Sequence, residues 1–152
     1  MYKRRQILDA VVDTLSGINP QNGYESDLRL VSKRFLHYDQ CPEFPALFVE
    51  PGPGRLEDVD GSGAVRRGTL QVLVTGYAQV GEDTEGRGLL SDALESLIGD
   101  VTKAVALKPH LGLSFVNWAE VVSVDPYIDW DLRNGFCWLT IEVAYRFGKG
   151  EP

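Results

Sequence analysis

The hydrophobic pattern is clearest near the end of the chain. From Phe136 to Phe147 there is no proline or glycine, and Cys137, Leu139, Ile141, Val143, Tyr145 and Phe147 form an unbroken apolar set at the odd positions. The even positions include Thr140, Glu142 and Arg146. Strand side chains alternate faces, so this stretch predicts a strand with one buried and one partly wet face. Asn134-Gly135, just before it, predicts a hairpin turn, because both residues tolerate positive φ. A partner strand is then expected over Ser114 to about Tyr127.

Elsewhere the period changes. Over residues 3–16, Ile7, Leu8, Val11, Val12 and Leu15 recur at helical spacing and predict an amphipathic helix. Gly17 suits a left-handed position after it, and Ile18 the apolar contact that follows. Asn19 to Gly23 reads as a loop, and Leu28 to Leu36 as a strand whose parity Val31 and Phe35 break. Cys41-Pro42-Glu43-Phe44-Pro45 interrupts that strand. Ala46 to Glu50 is a short apolar strand, ended by Pro51-Gly52-Pro53-Gly54, and Leu56 to Gly63 is an acidic loop. Val65 to Ala78 alternates again, with Leu70, Val72 and Val74 opposite Thr69, Gln71 and Thr75.

After a polar loop, Gln79 to Gly88, the longest helix runs from about Glu85 to Leu107. Leu90, Leu94, Leu97, Val101 and Val105 form its stripe, widened by Ala93, Ile98 and Ala104. Thr84 suits the N-cap and Glu85 the positive helix end. Gly99-Asp100 is a weak point where the helix can break and restart with Asp100 as a cap, and Pro109 ends it. Helix, strands, helix, hairpin is the order of an α+β fold. The expectation is one domain over residues 1–152: a mostly antiparallel β-sheet with an N-terminal helix and a longer central helix packed on it.

Composition narrows the class. A chain of 152 residues suits one domain and needs no staples. The net charge of -7 argues against a protein held to nucleic acid by phosphate contacts, and makes copies repel unless a specific contact overrides it. Cys41 and Cys137 are widely spaced and read as free thiols, Cys137 as a small hydrophobe on the apolar face. No apolar run is long enough to span a membrane. Lys3-Arg4-Arg5 is not followed by the apolar stretch of a secretory signal, so a reducing cytoplasm is the simplest compartment.

Candidate chemistry is sparse. His37 and His110 are the histidines, His110 read as solvated in a turn and His37 as adjoining a strand without a role, and no metal-ligand spacing or nucleophile elbow is present. No catalytic, cofactor-binding or metal residue is assigned, and no cofactor is expected. Pro51-Gly52-Pro53-Gly54 is a rigid turn, since proline removes the amides that would hold phosphate. Asp58-Val59-Asp60-Gly61-Ser62-Gly63 matches the opening of a calcium loop, but Thr69 stands where the closing carboxylate belongs, so a hairpin loop is the better reading. The aromatics Trp118, Tyr127, Trp130, Phe136 and Trp138 gather in the last two strands and their connection. Either helices cover both sheet faces in part, or these residues form an oligomer interface.

The layout resembles the tail terminator, or tail-completion, family of long-tailed bacteriophages. The resemblance is carried by the helix Arg4 to Leu15 and by Asn22-Gly23-Tyr24-Glu25-Ser26-Asp27-Leu28 leading into a strand. It continues through Phe44-Pro45-Ala46-Leu47-Phe48-Val49-Glu50, Arg67-Gly68-Thr69-Leu70-Gln71-Val72-Leu73-Val74, the helix around Leu89 to Leu97, and Leu139-Thr140-Ile141-Glu142-Val143-Ala144-Tyr145. It implies a non-enzymatic virion protein, assembled in the host cytoplasm as a six-fold ring. Such a ring caps the tail tube, ends its polymerisation and joins tail to head. The implied partners are further copies of the chain, the tail tube protein and a head-neck connector protein. DNA passes the lumen without specific binding, and no membrane is involved. The alternatives are another neck or connector ring protein, a ligand-binding or enzymatic α+β domain, and an adaptor that binds by strand addition.

Overall fold

The computed structural model describes residues 1–59, 61–80 and 86–152. Its elements are α1 (Lys3–Ser16), β1 (Leu30–Ser32), β2 (Ala46–Asp58), β3 (Val65–Gln79), α2 (Gly86–Leu107), β4 (Val116–Asp129) and β5 (Asn134–Gly148). The strands form one five-stranded sheet in the order β1-β2-β3-β5-β4. Only β1 runs parallel to its neighbour. The others pair antiparallel. This is the expected α+β arrangement.

The odd face of β5 is the floor of the core. Cys137, Leu139, Ile141, Val143, Tyr145 and Phe147 are buried, together with Leu70, Val72 and Val74 from β3 and Leu47 and Val49 from β2. Both helices lie on this face. Ile7, Val11 and Leu15 come down from α1, and Leu90, Leu94, Leu97, Val101, Ala104 and Val105 from α2. Among the described residues neither α-helix packs on the other face. One end of it is covered by the segment 33–45, where Cys41, Leu36, Tyr38 and Phe44 pack on Ala46, Phe48 and Tyr77. Both α-helices thus cover one face, and the partial cover of the other comes from this segment, with its short 3-10 helix Tyr38–Gln40.

Several local expectations are corrected. Asn134-Gly135 is not the turn: Asn134 pairs with Asp129 and Gly135 with Ile128. The turn is residues 130–133, held by the Asp129 carboxylate, whose Oδ1 accepts from the amides of Asp131 and Leu132, each at 3.1 Å. Arg133 supplies the left-handed residue at φ 55°. Gly17 is at φ −83°, not left-handed, although Ile18 is fully buried behind it as expected. The strand expected over Leu28 to Leu36 shrinks to Leu30–Ser32.

Pro51-Gly52-Pro53-Gly54 does not end β2, which runs on to Asp58 through a register shift between Pro51 and Gly54. The reason lies in the neighbours. β1 pairs with β2 only at Ala46, Leu47 and Phe48, so the outer edge beyond is free and a proline there deprives no partner of a donor. Gly52 permits the close approach at the bulge, since a Cβ there would stand 2.7 Å from the Gln71 carbonyl oxygen. Asp58 pairs with Arg66 at 3.1 Å across β2 and β3, while Asp60 of the calcium-like stretch lies outside the described residues.

α2 continues through Gly99-Asp100 without a break. Asp100 is buried, and its carboxylate accepts from the Glu25 amide at 3.2 Å and the Ser26 amide at 2.6 Å. It serves as a clasp for the segment 23–26. Lys103 reinforces this by donating to the Gly23 carbonyl at 2.7 Å and lying over the Tyr24 ring. The Thr84 and Glu85 caps expected for α2 lie outside the described residues.

Both cysteines are free and buried. Burial pushes the Cys137 thiol up to about 12 from its ordinary 9.0, against the opposing backbone hydrogen bond at Gly76. Between those values the folded chain holds a proton that the unfolded chain has lost. The resulting stability is complete below about pH 9 and is lost as pH rises towards 12. Denaturation midpoints measured upward from neutral pH should fall across this window, and less steeply in Cys137→Ala. Equal slopes for parent and variant would show that the thiol titrates as if exposed.

Candidate assembly surface

The uncovered sheet face carries most of the aromatic residues singled out in the sequence. Phe136, Trp138 and Thr140 alternate outward on β5, because the odd set points to the helices. Register places Tyr127 of β4 beside Phe136, and Thr75 of β3 beside Trp138. The rings meet: Phe136 stacks on Trp138 with centroids 6.3 Å apart, and Tyr127 lies 6.1 Å from Phe136. On the other side Phe136 meets Tyr77 and Tyr38 edge-on. Phe136 is thus anchored in the small cluster under segment 33–45, whereas Tyr127 is 55% and Trp138 46% exposed.

Trp118 lies elsewhere on the sheet, and Trp130 is at the hairpin tip. Trp118 pairs with Ala144, six residues along β5 from Trp138 and roughly 20 Å away at about 3.3 Å per residue. Trp130 sits in the hairpin turn beside Leu132, both exposed. So Tyr127, Phe136 and Trp138 form one patch, Trp130 extends it at the tip, and Trp118 marks a second spot. Leu73 belongs to the same face and is also exposed. It was legible as the one apolar residue among Thr69, Gln71 and Thr75, a break in alternation that a core explanation does not require.

Further along, this face turns polar. Pro53, Gly54, Arg55, Glu57, Thr69, Gln71 and Glu142 line an open cleft of about 300 Å³. Glu120 stands directly opposite Glu142, a like-charge pairing that a sheet normally avoids. The free edge on β4 carries Glu120, Asp125 and Pro126 and two register shifts, the features that keep an edge from adding another strand.

A second apolar feature was not anticipated. Tyr2, Arg4, Arg5, Leu56, Tyr145, Phe147 and Pro152 line a pocket of about 320 Å³. It lies on the helix side, past the start of α1, where Leu56, Gly68 and Tyr145 are register partners across three strands. Gly68 has no side chain because the Tyr145 ring occupies its space: a Cβ there would be 2.3 Å from Tyr145 Cζ. Arg4 donates to the Gly52 carbonyl at 3.1 Å, and Lys3 donates through its amide to the Pro152 carbonyl, so both chain ends close the pocket. Burial raises the Tyr145 hydroxyl's pKa, with Arg4 opposing.

Among the described residues, no group of three or more His, Cys, Asp or Glu side chains is arranged to hold a metal ion. No helix among them is long and apolar enough to cross a membrane. His110 is exposed, as expected, and its Nδ1 lies 3.0 Å from the Val116 carbonyl oxygen. His37 packs edge-on against Phe35.

No curated protein matches the chain. Among solved structures, a chain of the "Virion of native gene transfer agent (GTA) particle" shares the fold, with a TM-score of 0.56 at 9% identity, over 93% of this chain and 95% of that one. The sequence profile of the family described as "Bacteriophage Tail Tube Terminator Protein" matches residues 1–120. The chain therefore belongs to the bacteriophage tail tube terminator family, a family of virion structural proteins.

Proposed function

We propose that this protein forms a six-subunit ring at the end of the tail tube, ends the tube's polymerisation and offers the head-neck connector protein a docking surface. The role is structural, without catalysis, and is carried out in the virion after assembly in the host cytoplasm. DNA passes the bore without specific binding, in keeping with a net charge of -7. Family membership over residues 1–120 is the observation that carries this reading. The patch of half-buried Phe136 with exposed Tyr127 and Trp138, extended by Trp130 at the tip and with Trp118 further along the sheet, supports it: aromatic residues clustered on one sheet face are the side chains that anchor protein interfaces.

Light scattering on the purified protein, alone and mixed with purified tail tubes, is the test. A mass of about six subunits is expected in at least one condition, and tubes mixed with the protein should stop elongating. Trp138→Glu is expected to reduce that mass to the subunit while leaving the circular dichroism spectrum unchanged, since the side chain is already half in water. A parent that stays monomeric both alone and on tubes would end the ring reading. A full-mass Trp138→Glu ring would remove Trp138 from the interface.

A further inference from the structure

The hairpin tip and the terminal pocket differ in charge, and the pocket has room for an aromatic ring. The tip presents Trp130 and Leu132, both exposed, on a turn that the Asp129 carboxylate holds in place. Asp129 and Asp131 flank them, with Arg133 the one basic residue of the turn. The pocket has an apolar floor of Tyr2, Leu56, Tyr145 and Phe147. Its rim includes Arg4 and Arg5, part of Lys3-Arg4-Arg5, the only run of three consecutive basic residues in a chain of net charge -7. Among the described residues two acids lie nearby: Glu151, to whose carbonyl Lys3 Nζ donates, and Asp58, on the same face of β2 as Leu56 and paired with Arg66. A volume of about 320 Å³ suffices for an indole, because a cavity of about 150 Å³ takes a benzene ring.

The two features lie at opposite ends of β5. Arg133 precedes the strand and Tyr145 is near its end, roughly 40 Å apart at about 3.3 Å per residue. A subunit therefore cannot seat its own tip in its own pocket. Two different, complementary surfaces on one chain are what a closed ring requires, since every subunit must give one and receive the other.

We propose that the β4–β5 hairpin tip of one copy seats in the terminal pocket of the next, Trp130 entering between Leu56, Tyr145 and Phe147 while Asp131 meets Arg5. The occupant is a second copy of this chain because the tip's acidic charge matches a basic rim that is unusual in so acidic a protein. Attraction at this one contact offsets the general repulsion between copies. The proposal rests on the ring reading and specifies its contact.

Charge reversal tests it. Asp131→Arg and Arg5→Glu, both at exposed positions, are each expected to weaken self-association at least tenfold by light scattering, with thermal unfolding unchanged. The double variant is expected to recover most of the loss. Trp130→Ala, which changes no charge, is expected to weaken association to a similar degree. Raising the salt should loosen the parent more than the Asp131→Arg variant. Single variants that assemble like the parent would overturn this contact while leaving the ring intact. Variants that form the ring but no longer bind tail tubes would assign the pocket to the tube protein and overturn it equally. A parent that never assembles, alone or on tubes, removes the ring and this contact together.

Discussion

Ile141→Ala is expected to destabilise the protein by about 2–5 kcal/mol, the usual cost of truncating a large aliphatic side chain in a packed core. Ile141 is fully buried and sits midway along β5. Its register partners are Val72 on β3 and Val121 on β4. The strand is flanked on both sides, so the backbone cannot close over the lost volume, and a cavity remains between sheet and α2. Urea denaturation with a two-state fit measures the loss. A cost below about half a kcal/mol, with the denaturant slope unchanged, is the behaviour of a surface site and would place the odd face of β5 in water.

Asp100→Ala should cost about 2–4 kcal/mol, for a different reason. The substitution improves helix propensity, which on its own would stabilise α2 slightly. It also strips acceptors from the amides of Glu25 and Ser26, each of which now bonds to a charged oxygen. A poorly hydrated amide left without its partner costs about 1–3 kcal/mol. The propensity gain is small beside that loss, so the net sign is destabilising. Hydrogen exchange should show the amides of Glu25 and Ser26 losing protection before the rest of the molecule. If Asp100→Ala is neutral or stabilising, water replaces the carboxylate and the clasp contributes nothing.

Asp100 illustrates what a one-dimensional pattern hides. In sequence, Gly99-Asp100 looks like an interruption, because both residues are poor in a helix interior. The helix survives because the stripe Leu90, Leu94, Leu97, Val101 and Val105 continues through the interruption in phase, and because the carboxylate finds donors 74 and 75 residues away. Pro51 to Gly54 failed as a stop signal for a similar reason. Proline is excluded from a strand by the neighbour it deprives, and among the described residues no strand pairs with β2 on that side beyond Phe48.

The sequence by itself determined whatever depends on a repeating local pattern. Period two in β3 and β5 and the helical stripes of α1 and α2 set the elements, their buried faces and the α+β class, because each face must be covered and the pattern says which. Together with the resemblance carried by those segments, this was enough to point to the tail terminator family. It also placed Trp118, Tyr127, Trp130, Phe136 and Trp138 near one another in the chain. Only the tertiary structure decided which of them meet: cross-strand register brings Tyr127, Phe136 and Trp138 together and leaves Trp118 roughly 20 Å along the sheet. The terminal pocket is entirely a tertiary product. Tyr2, Leu56 and the β5 pair Tyr145 and Phe147 come from three separate segments, and Gly68 joins them by what it lacks. Contacts between residues far apart in the chain follow from how strands pair, and no local period encodes that pairing.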